Sequence, residues 1–595
     1  MLKKRKYTNI DILRIPFKVA PFNVVLQIIL SLIQAILPTV LFAVGTAYFV
    51  DTAISIFNGQ AYQSTIYIPL VVLLLLLFVE SLIPNIQSFL NARTGLAINQ
   101  KIIPAILQTR ASLSYKYTES EKALELIERV TKKLPKTLQS GVNDIGNLLQ
   151  SIVAITSVFV LVAVQVWWVI PIIVVFSVPL FWVAIIAGKK VYDSSRETYK
   201  YERRYSYYSE TLTSRESLDE RTVFGYVKDL LVRYNEQFKI AHKIQMKAML
   251  KMYVTVKTSS ILMVLIGLGF ALTLINPLID GSLTAGMFMG IITAVFGMLS
   301  TIGWSLQDAS EGLSLSKELM VDLTKFVNLT YTQGANDLPD QTTIEFESLE
   351  FKNVTFKYPN CDKSVFENLS FIIEKGKHYA FIGVNGAGKT TIVKLLTGLY
   401  DEYEGEILLN NRELRTYPQS TLKALFSVVY QDFSRYEITL SDNVSLGNVA
   451  HNVKSSEIDR VINEVGLTDH VAKLKSGKDT YLGRLHKESQ ELSGGQWQKV
   501  AIARSLASKA QIKIFDEPTA ALDPIAESQV YNDFKKLMKE KTTIFISHRL
   551  GSTRLADKIF VIDKGAIVEQ GNTDELISQK GLYKQMFETQ KRWYQ

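Results

Sequence analysis

Six stretches of this chain are long and apolar enough to be read as membrane-crossing helices, and they constrain the fold more than any other feature. They lie at about 22–50, 66–90, 147–166, 168–188, 259–277 and 284–305. Each is close to the roughly 20 residues that a helix needs to cross a hydrocarbon core. The second is the plainest, with an unbroken apolar run from Val71 to Val79. The third and fourth run almost together through Trp167 and Trp168, whose amphipathic rings suit a tight turn at a membrane interface. Charge placement tests the assignment independently. No Lys or Arg occurs at 51–65, 165–168 or 278–284, whereas the N-terminus and the stretches 91–147 and 189–257 are rich in both. Cationic loops stay in the cytoplasm, so both chain ends and both long connections are expected there.

Bulk averages hide this asymmetry. Across 595 residues, 21% are charged and the mean hydropathy is only +0.12, because the second half reads like a soluble enzyme. The net charge of +9 follows from cytoplasmic loops, and with no base-reading motif present nucleic acid is not an expected partner. Cys361 is the only cysteine, which excludes an internal disulfide and implies no oxidised compartment. The basic start, Met1 to Lys6, is not read as a cleaved signal, since the apolar segment after it begins late and runs too long.

The two long cytoplasmic connections contain helix formers with apolar residues at helical spacing, as in Glu119–Arg129 and Tyr208–Phe224. They predict membrane helices that continue into the cytoplasm and are joined by short transverse helices, the second near Thr213–Arg221. Helix six is expected to run on to Asn328. Residues 1–328 are therefore read as an all-α membrane domain, 329–343 as a polar linker broken by Gly334 and Pro339, and 344–595 as an α/β domain with its tail. There the rhythm changes to short β-branched runs, the first expected at Ile344-Glu345-Phe346.

Within the α/β domain, the strand Tyr379–Ile382 leads into Gly383-Val384-Asn385-Gly386-Ala387-Gly388-Lys389-Thr390 and then a helix from Thr391. Strand, glycine-rich loop and helix form the context that a phosphate cradle requires. The candidate phosphate-binding residues are Gly383, Asn385, Gly386, Gly388, Lys389, Thr390 and Thr391, with Thr390 also a ligand for Mg²⁺. A second strand, Ile512–Asp516, delivers Asp516 to hold Mg²⁺ and Glu517 to polarise an attacking water.

Leu492-Ser493-Gly494-Gly495-Gln496 resembles the signature of ATP-binding-cassette (ABC) proteins, and the order of elements from 344 to 585 is similar to that cassette. The resemblance implies a P-loop NTPase that binds ATP and Mg²⁺. It implies that Tyr358 stacks on adenine, that Gln431 touches Mg²⁺, that Asp523 lies in a loop crossing between partners, and that His548 meets the γ-phosphate. It also implies that Ser493, Gly494, Gly495 and Gln496 bind nucleotide held by an opposite cassette, so a chain with one cassette must dimerise, here as a homodimer. The six-span domain resembles the exporter type, whose second cytoplasmic loop reaches the partner cassette.

Several details resemble the bacterial lantibiotic and bacteriocin exporters, among them Gln431–Leu440, Gln496-Trp497-Gln498-Lys499 and Ala520–Pro524. A peptide cargo is therefore expected, with membrane lipid as surroundings and peptide-modifying enzymes as further partners. Lipid or drug export, or a membrane scaffold for such enzymes, are the alternatives. Ser489 stands where the resemblance calls for glycine. In the membrane, Glu80 is a candidate cargo contact or intersubunit hydrogen bond. Met287, Met289 and Met298 are read as an adaptable lining or as ordinary helix packing.

Overall fold

The computed structural model describes residues 2–171, 194, 197–215, 217–341, 344–359, 361–518, 541–547 and 552–593. The span expected at 168–188 and the candidates Asp523 and His548 fall largely or wholly outside them. The chain divides into two compact units.

The first unit, residues 1–107 and 125–328, is helical. A short amphipathic helix, α1 (Asp11–Val19), is pinned by Arg5, which donates to the buried Asp11 at 2.5 and 3.0 Å. The first span is α2 (Pro21–Ile36) and α3 (Phe42–Phe57), joined by a π-helical turn, Leu37–Leu41. Pro38 sits in that turn; its ring cannot accept the carbonyl four residues back, and a wider turn relieves the clash. Then come α4 (Tyr67–Ala111) and α5 (Glu121–Val166), both far longer than a bilayer is thick. Three described helical stretches, Pro21–Phe57, Gln63–Ala111 and Glu121–Val166, are long and apolar enough to cross a membrane. On α4, Val71, Leu74, Leu75 and Phe78 are exposed, which suits a helix whose solvent is lipid or another helix.

Trp167–Val169 forms a 3₁₀ turn after α5, and both tryptophans are exposed there. The short helix expected near Thr213–Arg221 is α6, at Leu218–Phe224. The reason for the later start lies in the hydroxyls before it: Ser217 Oγ bonds the Thr211 carbonyl, and Ser214 Oγ meets Ser217 Oγ at 2.9 Å. These bonds turn the chain, so the helix starts later. Gly225, with φ +61°, ends it. Two long helices follow, α7 (Val227–Thr273) and α8 (Ala285–Val327). Asp51 at the end of α3 accepts from Gly286 N and Thr284 Oγ1, both at 2.7 Å, capping the start of α8. Met298 is fully buried in the α3–α5–α8 packing, while Met289 is half exposed.

The second unit, residues 108–124 and 329–595, is α/β. Its strands are β1 (Ser348–Phe356), β2 (Phe366–Glu374), β3 (His378–Gly383), β4 (Glu404–Leu409), β5 (Arg412–Glu413), β6 (Phe426–Val429), β7 (Ile512–Asp516), β8 (Thr542–Ser547), β9 (Lys558–Asp563) and β10 (Ala566–Gly571). An antiparallel sheet has the order β2-β1-β4-β5; a mainly parallel one has the order β10-β9-β3-β8-β7-β6. The sheets share an apolar core in which Phe371 meets Phe381 at 5.2 Å and Phe560 at 5.5 Å between ring centroids. A second core gathers round Trp497, 1% exposed, against Phe515 and Phe545 on the other face of the parallel sheet.

The first strand begins at Ser348, not at Ile344 as the β-branched run suggested. Side chains take the backbone bonds instead: Phe346 N donates to Gln511 Oε1 at 2.9 Å, and Glu347 N to Asn410 Oδ1 at 2.9 Å. Phe346 still anchors the core. Where helices α4 and α5 meet, residues 108–124 pack within this second unit, and the connection is a single 3₁₀ turn, Tyr115–Thr118.

Candidate functional site

The cradle forms because β3 ends in a loop that only glycines can trace. Gly386 has φ +81° and Gly388 φ +102°; a Cβ on Gly388 would lie 2.5 Å from Cε1 of Phe366. The backbone is thereby free to turn its N–H groups toward an anion at the start of α9 (Lys389–Leu396). The cavity above it holds about 540 Å³ and is lined by Tyr358, Asn385, Lys389, Thr390, Gln431 and Glu517, among others. Gly386, Gly388 and Thr391 also line it. Of the residues expected from sequence, Gly383 sits just below the loop, close against the Ile562 carbonyl.

Lys389 is nearly enclosed, and its ammonium donates to the carbonyls of Gly383 at 2.9 Å and Val384 at 3.1 Å. Burial holds its pKa below the usual lysine value, against the pull of Glu517 and Asp516. Thr390 Oγ1 donates to Asp516 Oδ2 at 3.0 Å. Burial pushes the Asp516 carboxyl up to about 6; the Thr390 bond opposes this and the charge of Glu517 adds to it. A buried carboxylate and a hydroxyl in contact, with the Gln431 amide on the same cavity, fit Mg²⁺, which takes few protein ligands and completes its shell with phosphates and water. A divalent charge there would also remove the penalty that raises Asp516.

Glu517 follows β7 in a left-handed conformation, φ +51°, unusual for a residue with a side chain. Its N–H bonds the Ile546 carbonyl at 2.9 Å, so the sheet enforces this geometry. The left-handed turn ends the strand and sets Glu517 on the cavity wall.

Ser493 caps α10 (Gly494–Ala507), accepting from Gln496 N at 3.3 Å, while Gln496 Oε1 accepts from Ser493 N at 2.9 Å. The Gln496 amide also meets His470 Nδ1 at 3.1 Å. Within this chain its side-chain oxygen completes the helix cap. The N–H groups of Gly494 and Gly495 stand in the first turn, where the helix end favours an anion. None of these signature residues lines the cavity of their own cassette. At Ser489, φ is not positive and a turn to the His486 carbonyl forms without glycine. Sequence reasoning overlooked Thr391 as a partner for Tyr358, whose hydroxyl it meets at 2.7 Å. It also overlooked Val365, which lines the cavity from just before β2 and belongs to no motif.

Residues 17–302 match the family model of the ABC transporter transmembrane region, and 366–520 that of the ABC transporter. Over 524 residues the chain is 30% identical to the subtilin transport ATP-binding protein of Bacillus subtilis, covering 86% of this chain and 83% of that one. The chain belongs to the ABC transporter family. It is an integral membrane ABC exporter driven by ATP hydrolysis, a helical transmembrane region followed by an α/β nucleotide-binding cassette. The nisin transport ATP-binding protein of Lactococcus lactis subsp. lactis is 36% identical over 235 residues, 40% of this chain and 39% of that one. The ATP-dependent lipid A-core flippase of Pasteurella multocida is 34% identical over 325 residues, 54% of each chain. A solved bacterial Atm1-family ABC exporter with ATP bound superposes with a TM-score of 0.80 over 96% of this chain and 98% of that one, at 22% identity, which shows the fold.

Proposed function

We propose that this ABC exporter works as a homodimer in a bacterial cytoplasmic membrane, with cassette and termini cytoplasmic, and expels a lantibiotic- or bacteriocin-like peptide. One observation carries the cargo reading: the similarity to the subtilin transporter runs through 86% of the chain and so includes the membrane unit. The flippase similarity covers 54%. In this reading Lys389 and the N–H groups of the loop hold the β- and γ-phosphates, and Tyr358 stacks on adenine. Thr390, Asp516 and Gln431 would hold Mg²⁺, which would supply positive charge against the phosphates. Glu517 orients water for in-line attack on the γ-phosphate, the lysine and loop dipoles absorb charge as the β–γ bridge breaks, and His548 steadies the departing phosphate. Ser493, Gly494 and Gly495 of one copy, with Asp523, close on nucleotide held by the other.

Transport into inside-out vesicles tests the cargo. ATP-dependent uptake of a cationic lanthionine peptide, lost in Glu517→Gln, is the expected result. Uptake of labelled lipid with no uptake of peptide would overturn it in favour of a flippase.

A further inference from the structure

Lys394 lies one helical turn beyond Thr390 and Thr391 on α9, and no motif assigns it a task. Its ammonium is 5.2 Å from the ring centroid of Tyr358 and 5.4 Å from that of Tyr115. It donates to Glu119 Oε1 at 2.8 Å, a pair in which the lysine is largely shielded and Glu119 lies toward solvent. The other carboxylate oxygen of Glu119 takes the hydroxyl of Tyr400. Tyr400 in turn meets Tyr358 edge-on at 5.7 Å and Tyr115 edge-on at 5.4 Å. Glu119 thus holds two groups that both bear on Tyr358, and Tyr358 is a wall of the nucleotide cavity whereas Lys394 is not.

The arrangement is an unusual use of a lysine. Burial is the largest influence on its pKa and lowers it, but the Glu119 bond together with the electrostatic pull of Tyr358, Tyr115 and Glu119 outweighs burial and holds the ammonium protonated above its usual range. A permanent cation within reach of a ring is attracted to its π-face, most strongly when water is excluded. It also draws electron density from the ring. A tyrosine so fixed, with its hydroxyl tied to Thr391, presents its free surface in one pose instead of several, and preorganised surfaces bind more tightly because less freedom is lost.

We propose that Lys394 is a positioning residue for the nucleotide base: clamped by Glu119, it sets the pose of Tyr358 and thereby the affinity for ATP. The proposal rests on the reading of Tyr358 as the base-stacking residue. Glu119 belongs to the 3₁₀-linked segment between α4 and α5, so nucleotide affinity depends on a residue outside every cassette motif.

The test is steady-state ATP hydrolysis by the full-length exporter in nanodiscs, with KM and kcat measured for Lys394→Met, Lys394→Arg, Glu119→Gln, Tyr358→Ala and the Lys394→Met/Tyr358→Ala double variant. Lys394→Met is expected to raise KM about fivefold with kcat changed by less than about twofold. Lys394→Arg restores KM, since a guanidinium both pairs with carboxylate and stacks on tyrosine. Glu119→Gln raises KM less than Lys394→Met does. In the Tyr358→Ala background, Lys394→Met adds nothing further. An unchanged KM in Lys394→Met overturns the proposal, as does the same increase with and without Tyr358, which would place the effect in α9 itself. An unchanged KM in Tyr358→Ala overturns the stacking reading instead, whatever Lys394 does.

Discussion

At the scale of single residues, backbone geometry marks the functional positions as clearly as side-chain chemistry does. Gly388 holds a φ that costs an L-residue about 1–2 kcal/mol, and it also lacks room for a Cβ beside Phe366. Gly388→Ala is therefore expected to destabilise the cassette by at least about 2 kcal/mol and to abolish nucleotide binding. A thermal-shift assay with and without ATP reads both effects at once. Glu517 has the opposite character, a side chain retained in a left-handed conformation. Glu517→Gln keeps the shape and hydrogen-bonding length while removing the charge proposed to orient water. Hydrolysis is expected to fall by about 10²-fold or more, with ATP still bound. Equal turnover in the variant would remove Glu517 from its proposed role.

At the scale of elements, Lys513 joins two of them. It sits in β7, almost without solvent, and its ammonium donates to the carbonyls of Ser505 at 2.5 Å and Ser508 at 2.7 Å. Those carbonyls end α10, where the helix dipole favours a cation. The strand that delivers Asp516 is thus tied to the helix that begins at Ser493. Burial pushes Lys513 from 10.5 down to about 7, with Lys541 adding to the shift. The unfolded chain therefore holds this proton to higher pH than the folded one. Between about 7 and 10 the unfolded state binds more protons, so the contribution of Lys513 to stability rises with pH. Wild type should gain on Lys513→Met as pH is raised through that window, in thermal midpoints of the two proteins measured side by side. A constant difference would mean that Lys513 does not titrate there. Among the long helices, Arg129 on α5 bonds Asp322 on α8 at 3.0 Å, across 193 positions of sequence.

At the scale of the whole molecule, the decisive fact is that the signature residues do not line the cavity of their own cassette. A helix N-terminus prepared for an anion, whose residues do not line the cavity of their own cassette, suits a partner's nucleotide in the proposed homodimer. Complementation tests this directly. A Lys389→Ala chain keeps an intact signature, and a Ser493→Arg chain keeps an intact cradle. Each alone should be inactive. Random mixing makes half the dimers mixed, each with one sound site of two, so about a quarter of wild-type ATPase activity is expected to return. No recovery on co-expression, with mixed dimers verified by tag pull-down, would mean that each chain works alone.

The sequence by itself determined whatever is written in contiguous residues. Hydropathy over some twenty positions marks a span, and Gly383–Thr390, Ile512–Glu517 and Leu492–Gln496 each carry their own flanking context, because a strand, a glycine-conformed loop and a helix start are local structures. Boundaries were less legible where side chains replaced the ladder, as Asn410 and Gln511 do before β1, and where serine hydroxyls delayed α6. Only the tertiary structure decided which distant residues share a task. Glu119, Lys394 and Tyr358 have no common motif, and the bond between the Gln496 amide and His470 links two segments that no motif joins. The physical reason is that a local pattern reports how a segment satisfies its own backbone, whereas a contact between segments hundreds of positions apart is fixed by packing, which no short window of sequence contains.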